Sequence, residues 1–172
     1  MNTPRPSAWR RPVSWLPPPL LEARAPLRAI LIGWLTAFLP SLVLGGAVSL
    51  LLPRMGQPEM AISSARMVAL FVLFAPVIET LIMAGVLSLL LRFLPATVAV
   101  LVSAAGWGIA HSLAAPAWGL VVWWPFLIFS VLYVTWRKQS MLAALAIPAA
   151  THGLQNLVPT LLIFAGTVAR TG

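Results

Sequence analysis

The sequence contains no cysteine, which removes disulfides, thiolate nucleophiles and cysteine-ligated zinc from consideration. It is also poor in charge, and negative charge is nearly absent: three Asp or Glu in 172 residues, with 8% of the chain charged. Soluble domains carry about a quarter of their residues as Asp, Glu, Lys and Arg. A chain this depleted, 60% hydrophobic and with a mean hydropathy of +0.97, reads as an all-α membrane protein of one domain, covered mainly by lipid. Ten of the eleven basic residues are Arg, and with the abundant Ala and Leu this hints at a GC-rich bacterial genome and a plasma (inner) membrane.

The net charge of +8 raises nucleic acid as a partner, but the positions of the basic residues argue against it. Arg5, Arg10, Arg11, Arg24 and Arg28 all precede the first apolar span, in the proline-studded segment 1–28. That composition suggests a poorly ordered arm or a short interfacial segment, with Trp9 and Trp15 suited to the headgroup zone. Its charge reads as a topology signal that also touches anionic lipid. The apolar run that follows is too long for a signal-peptide core and has no evident small-residue cleavage site.

Residues 29–52 are uncharged, and residues 67–91 are interrupted only by Glu79; each run is long enough to cross a bilayer. Residues 93–136 hold no Lys, Arg, Asp or Glu and read as two spans, divided at "LAAPAW", residues 113–118, where Pro116 marks a turn. Residues 139–169 are long for one span and short for two, and suggest a fifth helix with a shorter sixth segment after Pro159. The expected architecture is a bundle of about six transmembrane helices over 29–172. A cytoplasmic N-terminus places the arm, Arg92, Arg137 and Lys138 inside and Arg54 and Arg66 outside. The runs are too long and too continuously apolar for barrel strands.

Few polar ionisable groups interrupt these spans: Glu79 in "APVIETLIMAG", residues 75–85, His111 in "GWGIAHS" and His152 in "THGLQN". Asn156 follows His152 by four residues, which puts both on one helical face at about 6 Å between Cβ atoms, and Trp107 shares a face with His111 in the same way. At about 1.5 Å per residue, Glu79 lies roughly 18 Å from Leu91, His111 roughly 22 Å from Ala96 and His152 roughly 20 Å from Gln139. Although the helices alternate in direction, the three groups come out at similar depth.

Each has a plainer explanation. A lone intramembrane His can bond a carbonyl of a neighbouring helix, an Asn is commonly interhelical glue, and a carboxyl can sit protonated in a structural role. Four such groups at one level suit amide hydrolysis in a dry cavity, with a base to activate water and donors for the developing oxyanion. A zinc site built from Glu79, His111 and His152 is equally sensible chemically, and the sequence leaves the two open. Met83 and the tryptophans at 118, 123 and 124 read as packing and interface residues.

Taken in order, "APVIETLIMAG", "WGIAH" and "HGLQN" resemble the motif series of the CPBP intramembrane proteases, which include CAAX prenyl endopeptidases, bacteriocin-processing Abi-like enzymes and myxosortase-like members. The resemblance covers residues 75–156. It implies a compact helical bundle around a polar cavity, with Glu79 activating water together with His111, and with His152 and Asn156 facing the oxyanion. It favours a glutamate-based mechanism with no cofactor over the zinc reading, and a membrane-associated protein or peptide as substrate: a sorting tail, a leader or a CAAX-like tail. Two positions depart from the pattern: Thr80 replaces a second glutamate and Ala84 replaces an arginine. If those two form a buried ion pair elsewhere in the family, losing both leaves no orphan charge. A catalytically silent member, a small proton-coupled carrier and a purely structural partner of another system remain alternatives at this point.

Overall fold

The computed structural model describes residues 13–56, 58 and 60–171. Arg5, Arg10, Arg11 and Trp9 therefore lie outside the described residues. Within them the chain is helical and contains no strand. A single turn, α1 (Pro18–Leu21), leads into α2 (Pro26–Leu51). Next come α3 (Ala65–Leu90), α4 (Ala96–Ala114), α5 (Pro116–Trp136) and α6 (Met141–Thr171). The five helices after α1 are each long and apolar enough to cross a membrane.

Local chemistry sets the boundaries. Pro26 and Pro116 stand in the first turns of α2 and α5, where a missing N–H costs nothing. Ser64 caps α3 by accepting a hydrogen bond from the Met67 N–H at 3.3 Å. The break between α4 and α5 is a single extended residue, Ala115, because the ring of Pro116 disfavours helical geometry in the residue before it. This is the division expected at 113–118. The two helices then pack closely at Gly119, where a Cβ would overlap Ser112 Oγ and the Gly108 carbonyl.

The expected sixth segment does not form. Residues 141–171 are one helix that runs through both Pro148 and Pro159. Each proline removes one helical hydrogen bond, whereas a full break at bilayer depth would strip several backbone groups of partners, each at a cost of several kcal/mol. Continuing the helix is the cheaper arrangement. Five spans also put Arg170 at the end of the bundle that holds Arg54 and Arg66, away from Arg92, Arg137 and Lys138.

α5 is the central helix: 67% of its most apolar window is buried, against 22–28% for the other spans. The remaining helices surround it and present leucines outward. The N-terminal segment is more integrated than its proline content suggests. Val13, Leu16, Leu20 and Leu21 belong to the core cluster, Thr135 Oγ1 donates to the Leu20 carbonyl at 2.8 Å, and Gln139 Nε2 donates to the Ala23 carbonyl at 2.6 Å. Trp15 remains largely exposed, its ring stacked on Trp124 at 5.9 Å. Proline also frees acceptors inside the bundle. Pro40 cannot bond the Thr36 carbonyl, and the Trp124 indole N–H takes that place at 2.8 Å.

Candidate active site

The first half of α3 is not uniformly α-helical. Residues Leu70–Phe74 form one π turn, in which the Ala75 N–H reaches back five residues to the Leu70 carbonyl. The next bond in that register would run from residue 76 to the Phe71 carbonyl, but residue 76 is proline and has no N–H. Asn156 fills the gap: its Nδ2 donates to the Phe71 carbonyl at 3.0 Å. The contact requires α6 to lie close against this turn, and Gly153 permits it, since a Cβ there would stand 2.8 Å from the Val72 carbonyl. Three residues of the motifs, Pro76, Gly153 and Asn156, thus lock α6 to α3 beside Glu79.

Glu79 follows Pro76 by less than one turn, and its Oε2 lies 3.7 Å from His152 Nε2. His152 is buried, its ring stacked on Phe129 at 4.7 Å and edge-on to Phe126 at 5.3 Å. Its Nδ1 has no hydrogen-bond partner among the described residues. With a carboxylate facing Nε2, the neutral ring is best satisfied with its hydrogen on Nε2 and a lone pair on Nδ1. His111 is pinned the other way. Its Nδ1 lies 2.9 Å from the Trp107 carbonyl, which can only accept, so Nδ1 carries the hydrogen and Nε2 keeps a lone pair. The ring sits among Trp107 at 5.7 Å, Phe126 at 5.6 Å and the edge of Trp118 at 4.7 Å.

All four polar residues expected from sequence, Glu79, His111, His152 and Asn156, line one cavity of about 260 Å³. α3, α4 and α6 supply them, while α5 supplies the shared wall through Phe126 and Phe129. Trp118, read from sequence as packing, is part of this wall. Gln155 was missed: it lines the same cavity, and its Oε1 is buried with no hydrogen-bond partner. Its signal was present in the sequence, since a residue three after His152 falls on the same helical face. Phe126 and Phe129 gave no signal, being two apolar residues in an apolar run.

A zinc ion would have to draw on Glu79, His111 and His152. Among the described residues no three His, Asp or Glu side chains gather closely enough to share one ion. The two departures from the family pattern, Thr80 and Ala84, are both buried, at 2% and 7% exposure, and Thr80 Oγ1 has no partner. A lone charge at either position would be stranded, whereas Thr and Ala leave only one unbonded hydroxyl.

No curated protein and no solved structure matches the chain. A family model does: the type II CAAX prenyl endopeptidase Rce1-like model matches residues 61–158, more than half of the sequence and a stretch that includes Glu79, His111, His152 and Asn156. With an all-helical bundle of five membrane-length helices around that stretch, the chain belongs to the Rce1-like CAAX protease family of multi-pass membrane proteins.

Proposed function

We propose that the protein is an intramembrane endopeptidase that hydrolyses a peptide bond of a membrane-associated polypeptide with water activated by Glu79. The observation that carries this reading is the convergence of Glu79, His111, His152 and Asn156, from three helices, on one cavity inside an otherwise apolar bundle. Polar groups at such depth are costly and call for a function.

In the reaction, the lone pair on His111 Nε2 accepts one hydrogen of a water molecule and orients it. Glu79 removes the other proton as the water oxygen bonds to the scissile carbonyl carbon and the carbonyl π pair moves onto its oxygen. As Glu79 takes up the proton, the His152 Nε2–H that faced its carboxylate is released to that oxyanion, and the Nδ2 hydrogen of Asn156 not used by Phe71 joins it. Collapse of the intermediate breaks the C–N bond, and the proton held by Glu79 passes to the departing nitrogen. One water is consumed, a carboxyl and an amino terminus are formed, and Glu79 returns to its starting state. A positioned base contributes about 10²- to 10⁴-fold to such a step.

The test compares protein termini, by mass spectrometry, in cells carrying the native protein and cells carrying Glu79→Gln at equal expression. Termini that vanish in the variant while uncut precursors accumulate support the reading and name the substrate. An unchanged set of termini, under conditions where the gene is required, overturns it.

A further inference from the structure

The cavity is lopsided with respect to the chemistry. At about 1.5 Å per residue, Glu79 and His152 both lie roughly 17 Å along their helices from the end of the bundle that holds Leu90, Trp136 and Met141. Most of the lining continues away from that end: Ser41 and Leu42 on α2, Trp118 and Val121 on α5, and Val158 and Leu162 on α6, the last roughly 32 Å along. In the opposite direction the cavity has a floor. Phe129 closes it, every α5 residue from Phe126 to Trp136 is buried, and the Leu20 and Ala23 carbonyls are bonded across that end by Thr135 and Gln139. The mouth lies between α2 and α6, where the lining residues Leu42 and Leu162 are 56% and 69% exposed.

Charge distinguishes the two ends. Arg24, Arg28, Arg92, Arg137 and Lys138 flank the floor, and Arg54, Arg66 and Arg170 flank the mouth, while three further arginines precede Val13 in the sequence. An excess of Lys and Arg marks the cytoplasmic side, so the floor is cytoplasmic and the mouth opens in the outer half of the bilayer.

The mouth side carries donors, the Ser41 hydroxyl bonded to the Ala37 carbonyl and the Trp118 indole, and also three acceptors that lack a helical or side-chain donor. Gln155 Oε1 is buried and unpartnered, Pro159 removes the helical donor of the Gln155 main-chain carbonyl, and Pro125 does the same for Val121. A helical segment has no free N–H to offer them, because its own carbonyls use them; an extended apolar segment offers one at each residue. Resting on the protease reading above, we propose that the substrate is an unwound stretch of a membrane-anchored polypeptide on the outer side of the bilayer, entering sideways between α2 and α6. A prenylated tail presented from the cytoplasm would meet the closed floor.

The absence of cysteine makes the test direct. Ser41→Cys places one thiol on the cavity wall, and Ser140→Cys places one just beyond the floor. Each full-length variant is treated with a membrane-impermeant maleimide, first in intact spheroplasts and then in inverted membrane vesicles. The expected result is that Ser41→Cys labels from outside and loses labelling in inverted vesicles, with Ser140→Cys the reverse. Leu162→Cys provides the same reading should Ser41→Cys fail to accumulate. Cavity labelling from the cytoplasmic side, or from neither side, overturns the proposal. The labelling reports access whether or not any peptide is cut. Reversed labelling with Glu79-dependent cleavage therefore sinks this inference alone, while outward labelling with no cleavage sinks the protease reading.

Discussion

The lock between α3 and α6 makes a prediction that a simple contact would not. Asn156 donates to the Phe71 carbonyl at 3.0 Å because Pro76 has no N–H to offer it. Replacing Asn156 by Leu leaves that carbonyl without a partner inside the bundle, at a cost of about 1–2 kcal/mol for an interhelical hydrogen bond of this kind. Replacing Pro76 by Ala restores a main-chain donor at the position from which the π register would bond Phe71, and makes the Asn156 amide redundant. The two changes should therefore be coupled: Asn156→Leu in the Pro76→Ala background should cost less than it does alone, by about 1 kcal/mol. The assay is a double-mutant cycle on the purified protein in detergent or bicelles, following reversible unfolding of the four forms. Strictly additive losses would refute the assignment of Pro76 as the reason Asn156 is needed structurally, and Asn156 would then be retained for the oxyanion alone.

Three further outcomes follow from the same geometry. Gly153→Ala should push α6 off the π turn, because the added methyl meets a main-chain carbonyl rather than a movable side chain; a loss of about 1–3 kcal/mol in unfolding stability is expected, and a neutral effect would contradict the close approach. Thr80→Glu alone should cost about 3–5 kcal/mol by stranding a buried carboxyl, and Thr80→Glu combined with Ala84→Arg should recover much of that loss in folded yield. If the pair is no better than the single change, the two buried positions are not complementary. His111→Ala should cut turnover about 10²-fold or more while leaving the fold intact, since its ring lies at the rim of the aromatic wall and makes its one hydrogen bond within its own helix; near-native turnover would remove His111 from the reaction.

Much of this was legible because lipid imposes simple rules. Charge-free runs located the spans, Pro116 located the α4–α5 break through its effect on Ala115, and helical spacing with matched depth brought Glu79, His111 and His152 to one level. The illegible parts have physical reasons as well. α5 is apolar all round, and hydropathy does not distinguish a helix buried by protein from one bathed in lipid, so its central place and the wall of Phe126 and Phe129 carried no signature. Pro159 reads as a stop by soluble-helix rules, yet the helix continues because a break in lipid costs more than one lost bond. The π turn at Leu70–Phe74 has no periodicity to mark it, and the donor that satisfies its Phe71 carbonyl lies 85 residues away in sequence. Proline in the N-terminal segment masked the spacing of Val13, Leu16 and Leu20, which bury one side of that segment against the bundle.

On the proposed function, the carboxylate of Glu79 drives peptide hydrolysis inside the bundle. The most direct measurement reconstitutes the native protein, Glu79→Gln and Glu79→Asp in lipid vesicles with a precursor identified from the termini comparison, and follows the appearance of the two cleavage products by mass spectrometry alongside a thermal unfolding scan. Products are expected from the native protein, slower formation from Glu79→Asp, and none above background from a Glu79→Gln protein that unfolds like the native one. Cleavage by Glu79→Gln at the native rate would contradict the proposed function.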